Sequence, residues 1–261
     1  MSSVDSLVAR IAIIRRGLRF RLWAARTRIT LARLNCDFEL VAPHGAQFAT
    51  PPSVDPTRQA LPGTDHARRG RLRVELGDGV HLGRQTTIEV VPSADNRLAL
   101  GDGTFLGTGV RFVQFGGEIV IGPYGRVRDG VMMKSQGRLS VGSHAILQNG
   151  GMLQCAREVV LDDRVTLAER VSVIDSDHLV DGSDTYSMSQ PLAIDPIHVG
   201  SNVWIGANVV LLRGCRLAAN SVVAAGSVVR RGEYPAGWLI AGAPAEAKRA
   251  LDGGERGDHA G

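Results

Sequence analysis

His178 ends the run Ile174-Asp-Ser-Asp-His, with carboxylates close by at Asp175 and Asp177. An imidazole titrates near neutral pH, so it can take the proton of a weak nucleophile as that nucleophile attacks. A carboxylate against its second nitrogen would hold the ring and stabilise the imidazolium. Asp175 and Asp177 are the candidates for that role, and capping the turn they sit in is the competing one. Downstream stand two cation pairs, Arg230-Arg231 and Lys248-Arg249. They suit either phosphate binding or plain solvation. His198 opens a repeat and reads as an edge residue. His44, His66, His81, His144 and His259 follow no pattern.

These residues stand in and beside a sequence with a beat of six. Val199, Ile205, Leu211, Leu217, Val223 and Val229 are aliphatic at intervals of six. That period fits neither a helix nor a half-buried strand. It is the mark of a hexapeptide β-helix, in which three short strands and three corners make a coil. Working upstream, coils begin at Leu76, Leu100, Ile121, Val141 and Leu161, then at Val199 and Leu217, which gives about seven. Every interval is 18–24 residues except the 38 between Leu161 and Val199. That excess is an insertion at 175–196, and His178 lies at its mouth. Insertions in solenoids emerge as loops and tend to carry binding residues. Within this one, Asp181, Asp184 and Tyr186 could hydrogen-bond a polyol.

Outside the coils, residues 1–42 read as a basic amphipathic segment and 43–70 as a mostly irregular connector. The β-helix spans 71–235. A C-terminal extension over 236–251 includes a short helix at about 245–251, and 252–261 read as a disordered tail. The 261 residues hold 30 basic and 26 acidic side chains, of which eight arginines and one acid fall in 1–36. The rest therefore carries 22 basic and 25 acidic residues and is slightly acidic. The arginines of 7–34 point to contact with an anionic membrane, or to a helix that caps the solenoid or packs on a neighbour. No recognisable motif accompanies them, so nucleic acid is not expected. Three cysteines without a CxxC pair fit a reducing, cytoplasmic setting, and no apolar run is long enough to span a membrane.

Residues 140–250 resemble the hexapeptide-repeat O-acetyltransferases, in particular the galactoside/maltose acetyltransferases and the sugar acetyltransferases of polysaccharide biosynthesis. The carrying residues are Leu161–His178, then His198-Val-Gly-Ser-Asn-Val-Trp-Ile-Gly-Ala-Asn-Val, Ala224-Ala-Gly-Ser-Val-Val and Ala241-Gly-Ala-Pro-Ala. The resemblance implies an all-β, left-handed parallel β-helix and a homotrimer with active sites between subunits. It further implies acetyl-CoA as donor, no metal, and a sugar or glycan-precursor hydroxyl as acceptor. It makes His178 the general base, oriented by Asp175, and places Asn149 and Trp204 beside the acceptor. Trp204, Gly206, Ala207, Ala225 and Gly226 would line the donor groove, with a backbone N–H at Gly206 or a neighbour serving the oxyanion. Arg230, Arg231, Lys248 and Arg249 would meet the coenzyme phosphates. Glu246 departs from the family, which carries an arginine there. N-acylation of an amino sugar would use the same base. A zinc carbonic anhydrase would need three converging histidines, and a non-enzymatic scaffold would bind no acetyl-CoA.

Overall fold

The structure is a computed structural model that describes residues 19–43, 46–57 and 67–251. Residues 7–18 of the basic segment and the tail at 252–261 lie outside the described residues.

Three parallel sheets form the faces of a triangular prism. Sheet A has nine strands, from Cys36–Val41 to Gly232–Tyr234. Sheet B has ten, from Gln47–Phe48 to Ala245–Ala250, and sheet C has eight, from Ser53–Pro56 to Val228–Val229. The chain visits A, B and C in turn. Each strand therefore pairs in parallel with its counterpart one coil away, and identical positions stack in columns. On sheet B one such column runs Leu106, Val127, Leu147, Leu167, Ile205 and Val223. Sheet C stacks Ile88, Phe112, Met133, Leu153, Val173, Leu211 and Val229. All of these side chains are buried. The hexad residues read from the sequence are thus the ones that fill the prism. Their outward neighbours alternate with them because successive side chains of a strand point to opposite faces.

Both ends differ from the sequence reading. The expected connector contains strands at Gln47–Phe48 and Ser53–Pro56, which with Cys36–Val41 build an extra coil before Leu76. Phe48 and Val54 keep the spacing of six in register with Leu82 and Ile88, but they stand among prolines and the position six before Phe48 is the small Ala42, so the beat is faint there. At the other end Gly232–Tyr234 and Trp238–Gly242 continue sheets A and B past Val229. The expected helix at 245–251 is instead a strand, Ala245–Ala250, antiparallel to Trp238–Gly242. Ala-Glu-Ala-Lys-Arg-Ala favours a helix locally, but one and a half turns cannot nucleate alone. The open edge of sheet B offers these backbone groups partners at once.

Residues 19–32 are helical and close the N-terminal end. Trp23, Thr27 and Leu31 are buried on one side of this helix. The Trp23 Nε1–H donates to the Pro52 carbonyl at 2.7 Å, and the Trp23 ring meets Phe38 edge-on.

Candidate active site

The insertion leaves sheet C after Ile174 and rejoins sheet A at Ile197, so it replaces one corner of the edge between C and A. Its legs form a two-stranded ribbon, Ser176–His178 against Leu192–Ile194. Three contacts fix that ribbon. The Asp175 carboxylate is buried and accepts the N–H groups of Ala156, Arg157 and Glu158 at 2.6–3.0 Å, the corner one coil below. Asp177 pairs with Arg213 at 2.9 Å on the corner above. Asp195 pairs with Arg231 at 3.3 Å one coil further on. Neither carboxylate bonds His178. Asp175 is a clamp for the insertion, the turn-capping role weighed against orienting the base.

His178 is half-buried, and its Nδ1 lies 3.4 Å from the Gln190 carbonyl across the ribbon. A carbonyl only accepts, so this contact selects the Nδ1–H tautomer and leaves Nε2 as the basic nitrogen. Gln190 escaped the sequence reading because it comes close only when the insertion folds back on itself.

A second group of residues lies on a different edge. Gly150, Arg170, Asn208 and Gly226 occupy the same left-handed corner position between sheets B and C, with φ from +56° to +71°. Each donates its N–H to the residue before its counterpart one coil below: Asp129, Asn149, Glu169 and Ala207. Hence Asn149, Glu169, Ala207 and Ala225 stack in one column. The sequence analysis named three of these four and missed Glu169. At Gly226 the space around an added Cβ is empty, so its positive φ accounts for the glycine. Gly206 is different, because a Cβ there would meet the Ala225 backbone at 2.6 Å. Its N–H donates to the Val223 carbonyl at 2.8 Å and is not free for an oxyanion. The N–H groups of Ala207 and Ala225 have no partner among the described residues.

Trp204 sits on the outer face of sheet B, more than half exposed (55%). Lys248 and Arg249 lie on the last strand of that sheet, and Lys248 is held by Glu246 at 2.8 Å. Arg230 and Arg231 fall on the C–A edge with His178. Within one chain, then, the candidate base and the column of small residues are separated by the width of sheet C. Five residue steps span it, from Asn208 to Arg213, roughly 16 Å at strand rise.

Other titratable groups are already engaged. Asp181 accepts from the Ser183 hydroxyl and N–H and from Gln190 Nε2, which holds its carboxyl below the usual range, the Ser183 hydroxyl contributing most. It is therefore internal to the loop, whereas Tyr186 is exposed. His198 meets Asp162 at 3.1 Å, and both line a cavity of about 370 Å³ on the far side of sheet A with Arg216, Glu233 and Tyr234. A larger cavity of about 630 Å³, lined by Arg71, Arg73, Arg97, Glu118 and Arg138, shares no residue with the site read from the sequence. Among the described residues no three His, Cys, Asp or Glu side chains cluster as metal ligands.

Residues 196–231 match the family model described as bacterial transferase hexapeptide (six repeats). A probable acetyltransferase of Mycobacterium tuberculosis is 27% identical over 150 residues, covering 54% of this chain and 48% of that protein. A 2,3,4,5-tetrahydropyridine-2,6-dicarboxylate N-acetyltransferase of Clostridium perfringens is 35% identical over 75 residues, covering 29% and 31%. The chain thus spans half or less of the length of these relatives. An N-acyltransferase of Bacillus cereus, solved with dTDP and coenzyme A, superposes with a TM-score of 0.50 at 18% identity over 58% of this chain and 83% of that one. That likeness shows the fold. The repeat implies the left-handed sense of coil, and the chain is a left-handed parallel β-helix carrying the bacterial transferase hexapeptide repeat, similar to acetyltransferases.

Proposed function

We propose that the protein transfers an acetyl group from acetyl-CoA to a hydroxyl of a sugar or polysaccharide precursor. The observation that carries this reading is His178, held on a clamped ribbon in the tautomer that leaves Nε2 basic. Nε2 takes the hydroxyl proton as the oxygen attacks the thioester carbonyl. The tetrahedral intermediate collapses with loss of the coenzyme thiolate, and the imidazolium returns its proton to that sulfur. No covalent acyl-enzyme is needed. The free N–H groups of Ala207 and Ala225 are the oxyanion donors that the column offers. Asn149 and Trp204 contact the acceptor, and the pantetheine arm runs along Trp204, Ala207, Ala225 and Gly226. Arg230, Arg231, Lys248 and Arg249 meet the phosphates. The Lys248 ion pair is exposed and weak enough for a phosphate to displace it, and Arg231 bonds Asp195 through Nε, which leaves its terminal N–H groups for a phosphate.

His178 and the small-residue column occupy different edges of one prism, so a working site takes one edge from each of two chains. A homotrimer meets that need three times over. A cytoplasmic setting supplies acetyl-CoA. N-acylation of an amino sugar is the second reading, favoured by the local likeness to the Clostridium perfringens N-acetyltransferase. The test is turnover by His178→Ala. A general base contributes about 10²–10⁴-fold, so a loss of that size with coenzyme A affinity intact is expected. Near-wild-type turnover would remove the mechanism.

A further inference from the structure

The N-terminal helix is amphipathic twice over. At about 100° per residue, Phe20, Trp23, Ala24, Thr27 and Leu31 form one line, and this line packs on the first coil. On the opposite side Leu22 and Ile29 lie within about 30° of the outward direction, and each is 56% exposed. Arg19, Arg26 and Arg33 run along one flank of that outer line and Arg21 and Arg28 along the other, about 50–90° from its centre. All five arginines are exposed, and none has an ion-pair partner among the described residues. The segment 19–34 contains no acid. On the prism faces Arg73, Arg97, Arg111 and Arg138 each meet a carboxylate, and single arginines such as Arg71, Arg126 and Arg216 do not, but there they stand apart on strands rather than in two rows beside an exposed aliphatic line.

We infer that this outer face docks on an anionic lipid bilayer. Two rows of guanidinium groups with no carboxylate partner among the described residues match a field of negative headgroups, and the aliphatic line between them reaches the acyl boundary. A nucleic acid would use the arginines but has no place for a midline of Leu22 and Ile29. Because the inner face already fixes the helix, docking needs no folding step. The prism then stands on its first coil, with its opposite end away from the bilayer. This inference is independent of the acyl-transfer reading.

The test is flotation of the full chain with vesicles. Binding is expected to equal-part phosphatidylcholine and phosphatidylglycerol vesicles, with none to phosphatidylcholine alone and release at high salt. Each arginine near such a surface is worth roughly fivefold in affinity. Arg26→Glu/Arg33→Glu should therefore weaken binding by at least about 25-fold. Leu22→Ser/Ile29→Ser should weaken vesicle binding by about tenfold while leaving the charge unchanged. All four side chains point outward, so thermal melts should match wild type. Should a variant melt early, the salt series on the unaltered chain reads the same electrostatics. Wild-type vesicle binding by the Arg26→Glu/Arg33→Glu chain would overturn the proposal. So would duplex DNA binding without vesicle binding.

Discussion

Along the edge between sheets B and C the same corner recurs from Gln85 to Gly226 without interruption. Along the edge between C and A, one corner opens into some twenty residues and carries His178. The first edge owes its form to repetition: stacked N–H groups and left-handed residues make a straight column with no singular point. The second owes its form to a break in repetition, held by Asp175, Asp177 and Asp195. A groove can hold a long amide-rich ligand at many places, but chemistry needs one proton acceptor at one place. On the reading proposed above, these two demands fall on two edges, and association of copies would reunite them.

The largest effect that would break this comparison is complementation. Ala225→Trp fills the groove and His178→Ala removes the base, so each variant alone should be inactive. Mixed after co-refolding, they should recover about a quarter of wild-type turnover, the share of sites that draw an intact edge from each chain. No recovery in assembled mixtures would mean that both edges must come from one chain.

Next in size is the clamp. Asp175→Ala leaves three part-buried N–H groups of the corner without their acceptor. A cost of about 1–3 kcal/mol in unfolding free energy is expected, together with lost turnover as the ribbon shifts. A denaturant melt at unchanged slope checks the first part. Asp177→Ala breaks only an exposed pair with Arg213 and should cost less than about 1 kcal/mol.

The smallest expected effect concerns pH and the prism interior. Burial pushes the Cys155 and Cys215 thiols up to about 12 and Cys36 to about 11. The folded state thus holds these protons more tightly than the unfolded chain does. The stability they contribute is complete below about pH 9, the ordinary thiol value, and is lost as pH climbs towards 11–12. Melting temperature should fall across that alkaline range, and less so for Cys215→Ala. At neutral pH all three should resist alkylation until the protein unfolds.

Seven of the coils were legible because each deposits apolar residues six apart, and every one of those residues is inside. The first coil was hidden because only Phe48 and Val54 mark the beat there, among prolines and with small Ala42 before them. The last strand was misread because Ala245–Ala250 has helical preference and takes its fold from a neighbouring edge that local sequence cannot reveal. The candidate site was legible in composition only. His178 was placed at the mouth of the insertion, and Ala207, Ala225 and Gly226 were named for the donor groove without their corner being read. That they sit on different edges follows from which strand precedes each, a matter of phase rather than residue type. Asp175 could be listed near His178, but its three backbone partners lie 17–19 residues upstream and one coil below, beyond any local signal.

The hairpin that ends sheet B has one more consequence. A solenoid grows by adding strands to its last coil, so a bare final coil invites the first coil of another molecule. Here Ala245–Ala250 runs the wrong way to continue the parallel stack and lines its outer side with Glu246, Lys248 and Arg249. With a helix at the opposite end, both ends of the described stack carry an element that disfavours end-to-end growth with another copy.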